Sequence, residues 1–222
     1  MRRGNLRVFC TLLMFAAAAS AVAADGTVSY FEGEVLIRRG TEILEADFGT
    51  DVFQGDVVST GANATVVIRL GDRADIKLRD NTSVEIESVG TSMSVGLNSG
   101  GIFSRVIRNV RGDFHVRAGT VVGGVRGTEF FVAYGRTIED YPDVWLCVND
   151  GEVFVRVTET AAEMPVRAGE GVNVLAGLRL TDAERYRWTE QLNWAMDPSE
   201  GEVYDDTDLD AAYSDLLDFD YD

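Results

Sequence analysis

The stretch of the sequence most suggestive of chemistry is VVGGVRGTEFFV, residues 121–132, in which three glycines lie close to Arg126. A glycine-rich loop binds phosphate when it opens a helix, because free N–H groups and the positive end of the helix dipole then meet at the anion. Here the lysine of a P-loop is absent, and residues 129–134 are an apolar, strand-like run. The pattern argues against a nucleotide site and predicts a turn between two strands, with a bend at Gly123 and Gly124. Arg126 is then either a structural clamp that pairs with a turn acid or a ligand contact.

Residues capable of nucleophilic or metal chemistry are sparse apart from the carboxylates. His115 is the only histidine, and Cys147 is the only cysteine outside the N-terminal segment, which is too few for a conventional structural zinc site. No Gly-x-Ser-x-Gly elbow is present, and the acids at Asp206, Asp208 and Asp210 lack the glycine and the terminal glutamate of an EF-hand loop. A catalytic carboxylate pair cannot be picked out among 37 Asp and Glu residues. We therefore predict a protein without enzymatic activity, bound metal or other cofactor.

The N-terminal segment has the features of an export signal. Several arginines precede an apolar run over residues 8–20, and Ala21-Val22-Ala23 supplies the small-x-small pattern read by a signal peptidase. The apolar run is shorter than the roughly 20 residues of a membrane-spanning helix. We predict a signal peptide over residues 1–23, cleaved after Ala23 or Ala24, and a periplasmic or secreted mature protein with no integral membrane segment.

Between residues 27 and 176 the sequence is typical of β-structure. Short β-branched and aromatic runs alternate with Gly, Asn and Asp, and no stretch keeps the 3.6-residue period of a helix. A glycine followed by an acid recurs between runs, as at Gly55-Asp56 and Gly112-Asp113, which is typical of turns at solvated strand ends. These features predict an all-β domain built by stacking hairpin-like units. The net charge of −17 argues against a nucleic-acid partner, because phosphate binding requires a basic surface.

One hairpin is predicted residue by residue from Asp150-Gly151, a dipeptide that favours a two-residue type I′ turn. The register implied by that turn pairs apolar residues on a single core face: Val148 with Val153, Leu146 with Val155, and Val144 with Val157. On the opposite face Trp145 lies across from Arg156, where an exposed indole could contact a cation. Cys147 then packs on Phe154, and we interpret this lone thiol as a small hydrophobe rather than a nucleophile.

A helix is predicted in the segment of residues 177–198. Thr181 and Glu184 form a capping box, and apolar residues then recur at helical spacing until Asp197-Pro198. The predicted helix runs from about residue 182 to 196 and docks its apolar stripe on the β domain.

The remaining residues, 199–222, contain no Lys or Arg. Such a chain repels itself, and we predict a disordered acidic tail. Aromatic and aliphatic residues are interleaved with the acids, a pattern that also fits a short linear segment folding against a basic, apolar partner surface.

Several stretches resemble the signatures of the FecR family. VFQGDVVSTGANATVVIRL (residues 52–70) resembles the first signature, and AGTVVGGVRGTEFFV (residues 118–132) resembles the second, in which a Val-Arg-Gly-Thr-x-Phe core joins two strands. DGEVFV and VRAGEGV, within residues 150–172, resemble the closing hairpin and an Ala-Gly-Glu turn. The resemblance covers residues 33–176 and is most specific over residues 125–130.

The FecR resemblance implies an extracytoplasmic, twisted antiparallel β domain of solenoid-like form. In iron-uptake regulators of this family, the domain passes a signal from an outer-membrane receptor to an inner-membrane anti-sigma segment. This sequence has an export signal where those regulators have a cytoplasmic region and a transmembrane helix. It therefore resembles a freestanding FecR-domain protein, and iron signalling does not carry over.

We predict a non-enzymatic periplasmic protein-interaction or signalling module whose partner is another protein of the cell envelope. The alternative is a protein that binds envelope glycan or another small ligand, with Arg126 and Trp145 as candidate contacts.

Overall fold

The computed structural model of the chain describes residues 23–107, 113–125, 127–137 and 142–218. The predicted export signal lies outside these residues except for its last position, and Arg126 also lies outside them. Within the described ranges the chain forms eighteen β-strands, one 3₁₀ helix and one α-helix. Their bounds are β1 Gly26–Glu32, β2 Val35–Arg39, β3 Glu42–Glu45, β4 Asp51–Val52, β5 Val57–Thr60, β6 Thr65–Leu70, β7 Ala74–Leu78, β8 Ser83–Val89, β9 Met93–Val106, β10 Phe114–Ala118, β11 Val121–Val125, β12 Glu129–Thr137, β13 Pro142–Asp150, β14 Glu152–Val157, β15 Glu163–Arg167, β16 Glu170–Leu175, β17 Arg179–Leu180, β18 Glu184–Arg185, η1 Arg187–Glu190 and α1 Leu209–Asp218.

The strands form two sheets that share one apolar core. Sheet A has the order β4-β1-β6-β7-β9-β12-β13-β16, and both β17 and β18 pair with β16. Sheet B has the order β3-β2-β5-β8-β9-β10-β11-β14-β15. Among the described strands β9 and β10 run parallel and the other pairs antiparallel. Along the chain, hairpins and single strands are added alternately to one sheet and then the other. The predicted all-β stack of hairpin-like units is therefore confirmed.

Strand β9 belongs to both sheets because it bends at Gly100. Its first half pairs with β8 and β10 in sheet B, and its second half pairs with β7 and β12 in sheet A. Gly100 has a φ of 90°, a conformation that side chains with a Cβ rarely adopt. A Cβ at this position would also lie 2.6 Å from Thr82 Cα. The bend therefore requires glycine.

We expect Gly100→Ala to lower the free energy of unfolding by roughly 2–4 kcal/mol, through backbone strain and the clash with Thr82. The matched control is Gly40→Ala, because Gly40 also has a positive φ (59°) but a Cβ there would meet nothing within 4 Å. Urea unfolding should show a loss of only about 1 kcal/mol for the control. Equal losses of unfolding free energy for the two variants would contradict a steric requirement for glycine at position 100.

The predicted hairpin at Asp150-Gly151 identified the buried residues but not the strand partners. The valines and the leucine expected on the core face are all buried, namely Val144, Leu146, Val148, Val153, Val155 and Val157. However, β13 pairs with β12 and β16 in sheet A, whereas β14 pairs with β11 and β15 in sheet B. Residues 150–151 carry the chain from one sheet to the other, so the predicted pairing is wrong. The alternation of apolar and polar residues shows which side chains of a strand point into the core. The pattern is the same whether two strands are neighbours in one sheet or lie on opposite sides of the core.

The glycine-rich stretch is a strand followed by a turn. Gly123 and Gly124 lie inside β11, which pairs with β10 and β14, so the bend predicted at these two residues is wrong. The turn falls instead at Gly127, where φ is 69°. Strand β12 begins at Glu129, as the apolar run after the glycines predicts, and no helix opens there to bind phosphate.

The helix predicted over residues 182–196 is wrong. Thr181 does not cap a helix, because its N–H donates to the Asn173 carbonyl and its hydroxyl accepts the Asn173 N–H, which extends sheet A. The region contains β18 and the short helix η1 and is otherwise largely irregular. Of the apolar residues predicted for a helical stripe, Leu192 and Met196 are buried, and Trp188 and Ala195 are half-buried. None of the helices in the described ranges is long and apolar enough to cross a membrane.

The acidic tail is also ordered where the structure describes it. Residues 199–218 pack on sheet A and include α1, with Val203, Asp205 and Tyr213 buried. The prediction of disorder, made from charge alone, is wrong for these residues, because basic side chains of sheet A compensate the carboxylates. The alternative interpretation, a segment that folds against a basic and apolar surface, describes this arrangement, and the surface belongs to the same chain.

Candidate functional site

The surface of sheet A that faces away from sheet B, here called the outer face, is covered by the C-terminal residues 186–218, here called the strap. The two form a second apolar cluster separate from the main core. Sheet A contributes Val67, Phe103, Phe131, Trp145 and Cys147, and the strap contributes Tyr186, Leu192, Met196, Val203, Ala212 and Tyr213. Because β18 ends at Arg185, the strap begins where regular pairing to the sheet stops.

Strand register places the basic residues of the outer face beside its aromatic residues. Alternate residues of β7 point outward, and Arg79, which follows the strand, continues the series begun by Asp75 and Lys77. Lys77 pairs in register with Phe103, and Phe103 with Phe131. Asp75 pairs in register with Arg105. The sheet therefore presents a row of rings flanked by Lys77, Arg79 and Arg105.

The aromatic rings form a connected chain from the sheet into the strap. Ring centroids are 4.6 Å apart for Phe103 and Phe131, 5.2 Å for Phe131 and Trp145, and 5.5 Å for Trp145 and Tyr186. Tyr186 lies against Gly171, where a Cβ would be 3.2 Å from the tyrosine Cβ. Such tilted and edge-on pairs stabilise the cluster beyond the area they bury.

Lys77 is the only lysine in the chain, and it is fully buried beneath the strap. Its Nζ donates to the carbonyl oxygens of Asn193, Ala195 and Val203, the last two at 2.9 and 3.1 Å. The ammonium also lies 4.2 Å from the centroid of the Phe103 ring. Burial lowers the pKa of Lys77 from 10.5 to about 8, because removal from water disfavours the charged form.

This shifted pKa makes stability depend on pH. The folded protein releases the Lys77 proton near pH 8, before the unfolded chain does, so the cost of burying the ammonium disappears as the pH rises. Relative to a Lys77→Met variant, the wild type should gain roughly 1–2 kcal/mol of unfolding free energy between pH 8 and pH 10. Urea unfolding of both proteins at several pH values tests this. The curves should run parallel below about pH 7, and parallel curves up to about pH 10 would contradict it.

Arg79 forms a buried ion pair with Asp205 of the strap. Arg79 Nε lies 3.0 Å from Asp205 Oδ2, and the two side chains are 8% and 1% exposed. Arg79 Nη2 donates to the carbonyls of Asp205 and Thr207 at 3.1 and 2.9 Å. The other carboxylate oxygen of Asp205 accepts the Asn193 N–H and the Thr207 hydroxyl. The carboxylate thus joins two parts of the strap to one guanidinium.

Arg105 holds the turn of the strap at the edge of the outer face. Its guanidinium pairs with Glu129 of the sheet and, at 2.7 Å, with Glu200 of the strap, and it donates to the Trp194 carbonyl at 3.2 Å. Glu200 also accepts the Met196 N–H. The pKa of Glu200 is lowered, chiefly by its hydrogen bond to Arg105.

The final helix is held by polar contacts of its aromatic residue. The Tyr213 hydroxyl donates to Asp143 of the sheet, and burial together with this carboxylate raises the pKa of Tyr213. The Arg136 guanidinium carbon lies 4.3 Å from the centroid of the Tyr213 ring, and its Nη1 is 3.3 Å from Asp210. The Tyr186 hydroxyl donates to the Ala212 carbonyl. Helix α1 is therefore fixed through both its tyrosine ring and its backbone.

The residues singled out from the sequence lie in different places. Trp145 is on the outer face as predicted, but it is only 1% exposed, so it cannot serve as an open platform for a sugar or a cation. It lies in sheet A, whereas Arg156 and Phe154 lie in sheet B, which removes the predicted contacts of Trp145 and Cys147 with them. Burial raises the pKa of Cys147 to about 12, as fits a packing residue rather than a nucleophile.

The cations that hold the strap were not recognised from the sequence. A signal was nevertheless present in ADIKLR, residues 74–79, where the only lysine alternates with Ile76 and Leu78 and is followed by Arg79 two residues later. Within the described part of the chain, no three His, Cys, Asp or Glu side chains are close enough to hold a metal ion.

Comparison with known proteins identifies the domain. Residues 56–153 match the family model described as FecR protein. The chain therefore carries a FecR domain, which confirms the resemblance seen in its motifs. The presence of this domain supports a signalling or regulatory role.

Two solved structures share the fold. Both are crystal structures, at 1.65 and 2.50 Å resolution, of a candidate anti-sigma factor from Parabacteroides distasonis ATCC 8503. Each has a TM-score of 0.50 and 20% sequence identity over 58% of this chain and 59% of that chain. The chain thus spans about three fifths of the length of that protein. No curated protein matches the sequence significantly.

Proposed function

We propose that this chain is a non-enzymatic, exported protein-interaction module that signals by binding another protein of the cell envelope. The observation that carries the proposal is the strap itself, because the outer face of the FecR-containing domain already holds a peptide segment of its own chain. The match to the FecR family and the N-terminal export pattern support the envelope location.

The contacts of the strap have the chemistry of peptide recognition. Lys77 and Arg79 together donate to five main-chain carbonyls, a form of binding that any polypeptide can satisfy. Asp205 and Tyr213 add contacts that depend on side-chain identity. Peptide-binding domains commonly combine these two, with main-chain bonds providing affinity and side-chain sites providing selectivity.

Site-specific photo-cross-linking in intact cells tests the proposal. A photo-reactive residue at Ser199, exposed on the turn of the strap, should cross-link one defined envelope protein. The matched control is the same residue at Phe154, which is 58% exposed on the outward surface of sheet B. Absence of a cross-linked protein at both positions would overturn the proposal, and a partner found at Phe154 alone would move the binding surface to sheet B.

A second candidate function, binding of a glycan or another small ligand, is favoured by a cavity of about 300 Å³ between the outer face and α1. Trp145, Arg136 and Asp143 line this cavity, and the Trp145 indole N–H has no acceptor among the described residues. The sites of known small-molecule binders combine an apolar wall with a few polar groups in this way. Retention of the protein on immobilised peptidoglycan that is lost in Arg136→Ala, a change at a partly exposed residue of this cavity, would support this function over the first.

A further inference from the structure

We infer that the outer face of sheet A binds an acidic, aromatic peptide of the partner in exchange for residues 202–218 of the strap. This inference rests on the proposed function and specifies its surface and its ligand. The partner segment is expected to carry a carboxylate for Arg79 and, eight residues later, an aromatic hydroxyl for Asp143, as Asp205 and Tyr213 do.

Residues 202–218 of the strap can leave without breaking either sheet. The Tyr186 N–H donates to the Gly169 carbonyl of the sheet. Among the described residues after Tyr186, the hydrogen bonds between two backbone groups stay within the strap. Side chains of the sheet make the connection instead, since Lys77 donates to the Val203 carbonyl and Arg79 to the Thr207 carbonyl. Separation therefore costs side-chain contacts and leaves the strand pairs intact.

Charge complementarity defines what can replace the strap. Residues 202–218 contain no Lys or Arg and several acids, and they contact Lys77, Arg79 and Arg136 on the sheet. In a chain with a net charge of −17, this face is a local concentration of cations. It selects acidic segments and repels basic ones.

An empty outer face is unfavourable, which makes exchange the expected route. Without residues 202–218, the apolar surface that Val203, Ala212 and Tyr213 cover would meet water, Lys77 would lose the Val203 carbonyl, and Arg79 would lose Asp205 and Thr207. An occupant with carbonyls, a carboxylate and an aromatic ring restores these contacts. The strap and the partner peptide consequently compete for one surface, and each excludes the other.

The exchange can be tested with the intact, folded chain. A protease site is inserted between Gly201 and Glu202, both exposed, at a point where a Cβ on Gly201 would meet no atom within 4 Å. After cleavage and gel filtration, a fluorescent synthetic peptide of residues 202–218 is titrated onto the cut protein. The uncut protein carrying the same insertion is the matched control, and circular dichroism monitors the fold.

We expect saturable binding of the peptide to the cut protein and none to the uncut protein. A peptide with Asp205→Asn should bind about tenfold more weakly or worse, because Arg79 then loses its charged partner. A scrambled peptide should not bind, and excess native peptide should reduce capture of the envelope partner by the cut protein. Failure of the fragment to dissociate, unfolding of the cut domain, or equal binding of native and scrambled peptides would each overturn the inference.

The two proposals can fail independently. A partner cross-linked at Ser199 together with no peptide binding would leave the proposed function standing and remove the exchange. Specific peptide binding without a cross-linked partner would leave the surface standing and remove the envelope interaction.

Discussion

Asp205→Asn is expected to lower the free energy of unfolding by about 3–5 kcal/mol, the usual cost of removing one partner of a buried ion pair. The carboxylate is 1% exposed and Arg79 is 8% exposed, so the guanidinium that remains cannot regain water without moving the strap. Asparagine is close in size to aspartate, which limits the change to charge and hydrogen bonding. Urea unfolding near neutral pH measures the effect.

Two further variants identify its cause. Asp206→Asn removes a charge from the next residue, which is exposed, and should change the free energy of unfolding by no more than about 0.5 kcal/mol. The double variant Arg79→Met, Asp205→Leu should recover much of the lost stability, because apolar residues of similar volume often replace a buried pair at little cost. Equal effects of Asp205→Asn and Asp206→Asn would show that the ion pair does not hold the strap.

Lys77 in the Asp205→Asn variant is expected to react with an amine-acylating reagent about 100-fold faster than in the wild type, or more. Lys77 is fully buried, so acylation requires the strap to open. Weakening the strap by about 3 kcal/mol raises the open population by roughly two powers of ten. Peptide mapping by mass spectrometry follows the reaction without ambiguity, because the chain has no other lysine.

The amino group at the N-terminus of the purified protein serves as an internal control and should react at the same rate in both proteins. Asp206→Asn should leave the Lys77 rate unchanged. Equal Lys77 rates in the wild type and the Asp205→Asn variant would mean that the Arg79–Asp205 ion pair does not control access to Lys77, and would contradict this prediction.

In the proposed function, local opening of the strap is the step that exposes the binding surface. A strap that opens alone exposes a basic, aromatic surface while the core between the sheets stays intact. Such local opening requires few main-chain bonds to break and a stable scaffold behind it. The outer face meets both requirements, since the strap is attached by side chains to a paired sheet.

Much of the fold was predictable because burial in β-strands follows a period of two. The alternating valines and leucine of β13 and β14 were correctly assigned to the core, and the strand after the glycine-rich stretch begins where its apolar run begins. The FecR motifs were recognised because turn glycines and their neighbours lie close together in sequence. Local constraints of this kind can be read from short stretches.

The pairing of those strands was harder to predict from the sequence. Asp150-Gly151 favours a tight turn, yet Gly151 lies where the chain crosses from sheet A to sheet B. The two arrangements could not be told apart from the sequence, because both use a positive φ and bury the same side chains. Trp145 and Cys147 were correctly placed opposite the core residues. Their burial could not be foreseen, because it depends on a segment some forty residues later that covers them.

The sequence alone determined an all-β FecR domain with the correct core-facing residues, because local turn chemistry and the two-residue period of strands are properties of short stretches. Only the tertiary structure decided the fate of the acidic C-terminus. Its composition indicates self-repulsion, and disorder follows if the segment is considered by itself. Arg105 comes to lie near Lys77 and Arg79 only when β7 and β9 pair side by side, and their combined charge then holds the strap on the sheet.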